Sequence, residues 1–198
     1  ESFQTLSQII SSPRTAIPPS LLQKATAIVI IPNMLKASFL VGARYGKGVL
    51  MVRGGDGRWG NPVFVVLSGG SFGLQMGLQS TDLVLVCRRG TMLDEKTRRN
   101  VILGADASIM AGTLGIQIDE NAAADLGTEI YSFSRTAGLT AGFSLQGTQL
   151  RLDDASTAEL YGKRSVRARD VLAGRIDTVS TEVLRFRDGF NRITGSSP

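Results

Sequence analysis

The pentapeptide Gly69 to Gly73, GGSFG, has the G-x-S-x-G form of a hydrolase nucleophile elbow, which would make Ser71 the attacking oxygen. A serine hydroxyl needs a general base to take its proton, ordinarily histidine, and this chain has none. No lysine is placed to substitute for it, and the residues after Ser71 continue in strand style instead of turning into a helix. The lack of histidine together with a single cysteine also excludes an ordinary zinc site. Gly46, Lys47 and Gly48 do not complete a phosphate-binding G-x-x-x-x-G-K-[ST] loop. Asp56, Asp82, Asp106 and Asp119 are dispersed, and Asp82, just ahead of an apolar run, reads as a turn former rather than a metal ligand. These residue types support neither enzyme chemistry nor a bound metal or cofactor.

The remaining chemistry is electrostatic. Lys36, Arg44, Lys47, Arg53 and Arg58 all fall at expected strand ends or in turns. The segment Lys36 to Trp59 reads as a hairpin, with apolar Phe39 to Val41 and Val49 to Val52 flanking a turn at Tyr45, Gly46, Lys47 and Gly48. That hairpin would put Arg44 and Lys47 at its tip and gather Lys36, Arg53 and Arg58 near the opposite end, a candidate contact for anionic headgroups. Overall, 22 Lys plus Arg against 17 Asp plus Glu give a net charge of +5 and a pI near 9.8. Such a chain is drawn to anionic surfaces, whether nucleic acid or phospholipid. Nucleic acid is disfavoured, because the cations are not interleaved with exposed aromatics and no known module signature occurs.

Two amphipathic stretches flank the body. Phe3, Leu6, Ile9 and Ile10 share one side of an N-terminal helix ended by Pro13, a docking or membrane-facing surface without lysine or arginine on the helix. Near the other end, Leu172, Ile176, Val179, Val183, Phe186, Phe190 and Ile193 recur at spacings of four and three, with Arg167, Arg169, Arg175, Arg185, Arg187 and Arg192 around them. That basic helix would pack on the body, self-associate, or lie on an anionic membrane.

The elements between them are mostly short strands. From Val63 to Arg89 the pattern reads as three: apolar Val63 to Leu67, an alternating Ser71 to Gln79, and apolar Leu83 to Cys87. In the middle one Phe72, Leu74, Met76 and Leu78 oppose a bare face of Gly73, Gln75, Gly77 and Gln79, a surface suited to close approach. Before it, Pro18 and Pro19 open a short helix that turns Leu21, Leu22 and Ala25 inward, and Ala27 to Ile31 forms a buried strand stopped by Pro32 and Asn33. After it come a charged helix at Thr91 to Arg99, a strand within Gly104 to Gly115, and strands at Ile130 to Phe133, Leu139 to Leu145 and Thr148 to Leu152. Asp153 and Asp154 begin a helix that runs to Tyr161. The fold class is therefore α+β and mainly antiparallel β: a barrel-like or strongly coiled sheet with flanking helices and a C-terminal amphipathic helix.

A chain of 198 residues with 42% hydrophobic content can bury a single core. Its division is read as an N-terminal helical segment (1–18), a central domain (19–172) and a basic C-terminal helix with its tail (173–198). No apolar run is long enough to read as a membrane span. Cys87 reads as a buried packing residue, and the start at Glu1 fits a trimmed segment or a processed export signal.

Several long motifs in order then carry a resemblance. IPNMLKASFLVGARYGKGVLMVR (Ile31 to Arg53), DGRWGNP (Asp56 to Pro62), GGSFGLQMGLQSTDLVLV (Gly69 to Val86), GADASIMAG (Gly104 to Gly112), YSFSRTAGLTAGFSLQG (Tyr131 to Gly147) and Tyr161-Gly162 resemble the SYLF domain family. The resemblance implies a non-enzymatic lipid-binding domain for anionic phospholipid or phosphoinositide headgroups at a membrane, able in some relatives to contact actin. It implies a bacterial envelope protein, or a peripheral membrane protein of the cytoplasm in a eukaryote. This sequence departs from the family in lacking cations on its N-terminal helix and in carrying no SH3 or FYVE segment. The competing expectation is a structural or protein-interaction module that assembles through its C-terminal helix.

Overall fold

The computed structural model describes residues 2, 4–5, 17–38, 41–72, 77–88, 100–103, 109–112, 130–136, 148–176 and 180–195. They contain the strands β1 (Ala27–Ser38), β2 (Val41–Val52), β3 (Val63–Phe72), β4 (Gly77–Cys87), β5 (Asn100–Leu103), β6 (Ile109–Gly112), β7 (Ile130–Thr136) and β8 (Thr148–Leu152). The helices are α1 (Pro19–Lys24), α2 (Asp154–Leu160), α3 (Ala168–Leu172) and α4 (Thr181–Ile193). Phe3, Leu6, Ile9 and Ile10, the centre of the glycine-faced stretch at 73–76, the segment 91–99 and the expected strand at 139–145 lie outside the described residues.

One sheet holds all eight described strands, in the order β5-β8-β3-β2-β1-β4-β7-β6. Every pairing is antiparallel except β6 with β7. β1, β2 and β3 follow one another as a meander, and β4 returns to lie beside β1, the Greek-key order. No pairing joins β5 to β6 among the described residues, so the sheet is open, and the barrel-like form expected from the sequence is not what these strands build.

Both faces of the sheet are buried over half its length. Val29, Ile31, Leu50, Val63, Val65, Leu67, Leu83 and Leu85 form a core with Tyr161, Val166, Ala168 and Val171, the layer of α2 and α3. The alternate residues Ile28, Ile30, Val49, Met51, Val84 and Val86 form a second core with Leu21 and Leu22 of α1, Trp59, and Phe190 of α4. Successive side chains of a strand point to opposite faces, so the unbroken apolar runs Val63 to Leu67 and Leu83 to Cys87 record a sheet covered on both sides.

Three local expectations are corrected. The expected three strands between Val63 and Arg89 are two: Ser68, Gly69 and Gly70 continue β3 against Tyr45, Arg44 and Ala43, and Ser80 to Asp82 belong to β4. Pro32 and Asn33 do not stop β1. The register against β2 and β4 shifts there, and Asn33 takes a left-handed φ of 49° in a bulge that lets the proline remain inside a strand. Its amide donates to Asp82 Oδ1 at 3.0 Å, so Asp82 fastens a bulge from the next strand instead of forming a turn.

The third correction concerns Tyr45 to Gly48. These residues lie inside β2, several residues past its start at Val41, where Gly42 faces Ser38 of β1. A Cβ on Gly48 would collide with the carbonyl oxygen of Ile30, and one on Gly46 would come within 2.5 Å of Ile31 Cγ2. The glycines serve close strand approach, a use that shares its sequence signal with a turn.

Candidate functional site

The five cations singled out from the sequence are separated by this register. Lys36 and Arg44 are cross-strand partners toward the 38–42 end of the β1–β2 hairpin. Arg44 is nearly buried, and its Nη1 donates to Thr148 Oγ1 at 3.4 Å. Burial lowers its pKa from the ordinary value, yet a guanidinium begins so high that it stays charged. Lys47, mid-strand, lies 3.3 Å from Asp153 Oδ2 and donates to Ser156 Oγ at 3.3 Å. Asp153 caps α2 through the Ser156 amide, so this lysine ties β2 to the start of a helix.

At the opposite end, Arg53 pairs with Trp59 across an isolated bridge and closes the turn containing Arg58. Its guanidinium donates to Leu22 O and Gln23 O at 3.0 and 3.1 Å, placing a cation on the carbonyls that end α1. It also stacks 4.6 Å from the Trp59 ring centroid. Arg58 is exposed, and its side chain makes no hydrogen bond or ion pair among the described residues. The register thus divides the set: Lys36 with Arg44, Arg53 with Arg58, and Lys47 between.

The turn DGRWGNP, which the sequence marks only as a motif, is where the helical layers meet the sheet. Trp59 Nε1 donates to Thr194 Oγ1 at 2.8 Å, the Trp59 amide to Asn191 Oδ1 at 3.0 Å, and its ring meets Phe190 edge-on at 5.1 Å. On the other side Tyr161 donates its buried hydroxyl to Pro62 O at 2.9 Å, and burial pushes its pKa upward, with Arg187 only partly offsetting. Tyr161-Gly162 and DGRWGNP are therefore one contact, made across 99 residues.

The C-terminal stripe expected as one helix is two. Gly174, with φ of 69°, ends α3, and Arg175 N returns to Asp170 O. Leu172, Ile176 and Val183 pack on one core, whereas Phe186, Phe190 and Ile193 pack on the other. The stripe is spent on this chain's own sheet, as the body-packing reading requires, and α4 joins the same cores as the strands. Its outward residues Glu182, Arg185, Asp188 and Arg192 alternate in sign, so its exposed side is mixed rather than uniformly basic.

A group of cations not gathered by the sequence reading does stand free. Lys163, Arg164, Arg167 and Arg169 are all exposed, and their side chains make no hydrogen bond or ion pair among the described residues. Four cations in seven residues is a signal readable from the chain, though Arg167 and Arg169 also fit the flank of the expected long C-terminal helix. The large apolar side chains exposed among the described residues, Leu35 and Tyr45, face each other across β1 and β2 at 55% and 49% exposure. No group of three or more His, Cys, Asp or Glu able to hold a metal occurs among the described residues.

The Ysc84 family, described as Las17-binding protein actin regulators, matches residues 68–188. The chain belongs to this family. Its resemblance to SYLF domains is thereby confirmed, and Ysc84-like relatives extend the likeness beyond that span. It is 29% identical over 193 residues to an SH3 domain-containing YSC84-like protein 1 of Xenopus laevis, covering 96% of this chain and 57% of that protein. It is 34% identical over 163 residues to an SH3 domain-containing protein of Schizosaccharomyces pombe, 81% of this chain and 37% of the relative. LAS seventeen-binding protein 3 of Saccharomyces cerevisiae is 31% identical over 178 residues, 88% and 38% of the two chains. The Ysc84-family chain thus spans between about a third and three fifths of these relatives. All three are eukaryotic proteins, which gives the bacterial-envelope expectation no support. No described helix is long and apolar enough to cross a membrane.

Proposed function

We propose that this Ysc84-family domain is a non-catalytic module that binds the surface of membranes carrying anionic phospholipid headgroups. The observation that carries the reading is the fate of its acidic residues. Asp56, Asp82, Asp153, Asp154 and Asp170 each accept from a backbone amide or an arginine within the fold. These carboxylates are held by partners of the fold, while the net charge of +5 is carried in part by exposed cations whose side chains have no partner among the described residues, Arg58 and the Lys163 to Arg169 group. Phosphate-bearing surfaces attract such charge without requiring a shaped pocket. Within this reading Arg53, Arg44 and Lys47 support the fold that presents the charge, and phosphoinositides are one class of headgroup it would meet.

Co-sedimentation with phosphatidylcholine vesicles, with and without phosphatidylserine, at low and high salt, tests it. Binding should need the anionic lipid and weaken as salt screens it. Binding indifferent to both would overturn the reading.

A second reading, binding to a protein, is favoured by the exposed Leu35–Tyr45 pair and by relatives named for binding Las17. An apolar pair of this kind supplies the anchor that a protein interface needs. The C-terminal helix does not supply that anchor, because its stripe is buried against the sheet.

A further inference from the structure

Resting on the membrane reading above, we infer that the segment from Gly162 to Arg169 is the part of the molecule that meets the anionic surface. It is built so that its backbone is held while its charges are pushed outward. Lys163 N donates to Ala158 O, and Val166 N donates to Lys163 O. Asp154 Oδ1 accepts from the Ala168 amide at 2.8 Å. Val166 and Ala168 are buried in the core beneath α2 and α3, and they alternate with exposed Arg167 and Arg169. Anchoring Val166 and Ala168 in the core leaves Arg167, between them, and Arg169, in the first turn of α3, on the solvent side.

Charge in the neighbourhood does not cancel. Between Asp154 and Arg175 there are five cations, Lys163, Arg164, Arg167, Arg169 and Arg175, against the three carboxylates Asp154, Glu159 and Asp170. Of those three, Asp170 is paired with Arg175 and Asp154 is turned to the Ala168 amide. Five cations against three carboxylates leave this stretch with an excess of two positive charges, and the side chains of Lys163, Arg164, Arg167 and Arg169 make no ion pair among the described residues.

The same segment lacks an apolar anchor. Its exposed side chains are Lys163, Arg164, Ser165, Arg167 and Arg169, with no exposed aromatic or aliphatic anchor among them. In protein interfaces an arginine contributes strongly where it is packed and desolvated beside apolar anchors, whereas a bilayer surface attracts each nearby cation additively and asks for no matching shape.

The test uses the full chain and two triple variants of equal charge change. R164Q/R167Q/R169Q removes three of the segment's four cations, and R151Q/R185Q/R192Q removes three exposed cations elsewhere. A third variant, R164K/R167K/R169K, keeps the charge and guards against a fold defect. On phosphatidylserine-containing vesicles each loop cation should be worth about fivefold, so the loop Gln variant should bind about a hundredfold more weakly. The Lys variant should match wild type, and the distant variant should lose only a few-fold. Equal losses in the two Gln variants would overturn the inference, showing that net charge alone matters, while leaving the membrane reading standing. A loop Gln variant that binds vesicles as wild type would overturn it as well and would leave those arginines to an acidic protein. Wild-type protein that ignores anionic vesicles would remove the membrane reading and this inference together.

Discussion

Asp153 shows how the meaning of a charged residue depends on what surrounds it. Burial on its own would raise its carboxyl pKa, but the Ser156 amide, the Ser156 hydroxyl and the Lys47 ammonium outweigh that cost and hold it below its ordinary value of 3.8. A carboxyl depressed in the folded state contributes stability that is present above its unfolded pKa and is lost as pH falls through the folded one. Asp153→Asn keeps a capping side chain but removes the charge that meets Lys47. Because Lys47 is half exposed, the variant should be less stable than wild type at pH 7 by no more than about 1 kcal/mol. The gap should close as pH drops below 3.8. Urea unfolding across that range measures it, and a gap of constant size would show that Asp153 acts through its shape alone. Residues of this kind were half legible. Sequence identifies Lys47, Arg53 and Asp82 as charged, and places them at strand ends and turns. It does not reveal their partners, because Asp153, the carbonyls of Leu22 and Gln23, and the Asn33 amide reach them only through the fold.

Within the elements, strand character was legible and strand limits were not. Apolar runs at Ala27 to Ile31, Val63 to Leu67 and Leu83 to Cys87 each fall in a strand buried on both faces. Glycine misled twice, at Gly46 and Gly48 in β2 and at Gly69 and Gly70 in β3, because a missing side chain serves a turn and a close strand crossing equally. The C-terminal stripe was legible as amphipathic, but periodicity reports that a face is apolar and not which surface will cover it. Its division between the two cores follows from Gly174, whose left-handed backbone ends α3. The glycines also allow an element-level prediction. Gly48→Ala sets a methyl against the Ile30 carbonyl in the middle of the sheet, and it should cost about 3 kcal/mol or more, at the upper end of overpacking. Gly55→Ala, in the Arg53 to Trp59 turn, meets nothing within 4 Å and should be neutral or stabilising by up to about 1 kcal/mol. Chemical denaturation of the two variants compares them directly. Similar losses at both positions would mean that β2 and β1 yield where the Cβ would sit.

On the scale of the molecule, the chain order of the Greek key decides what can be removed. The family match begins at residue 68, inside β3, and ends at 188, inside α4. A fragment with those limits would lose β1 and β2, which lie in the middle of the sheet between β3 and β4. It would also lose Trp59, Pro62 and Phe190, the contacts through which α4 and Tyr161 are joined to the strands. The remaining strands would then stand as two separate groups, β5-β8-β3 and β4-β7-β6, with no strand between them. Neither group has a helical layer of its own that could seal both faces, since α1 lies outside the fragment and α4 loses the residues that anchor it. We therefore expect residues 68–188 to show no cooperative thermal transition, whereas 17–195, which retains every described strand and the helices α1 to α4, should melt cooperatively near the full chain. Near-ultraviolet circular dichroism with heating distinguishes the two, and a native-like transition in the shorter fragment would mean that the sheet closes over the missing strands by a different pairing. In such a fragment the Lys163 to Arg169 cations would remain in the sequence, yet the core holding Val166 and Ala168 would lose Val29, Ile31, Leu50, Val63, Val65 and Leu67. The cationic surface depends on β1, β2 and the start of β3, far earlier in the chain, so binding to anionic vesicles should track the cooperative transition and not the mere presence of the arginines.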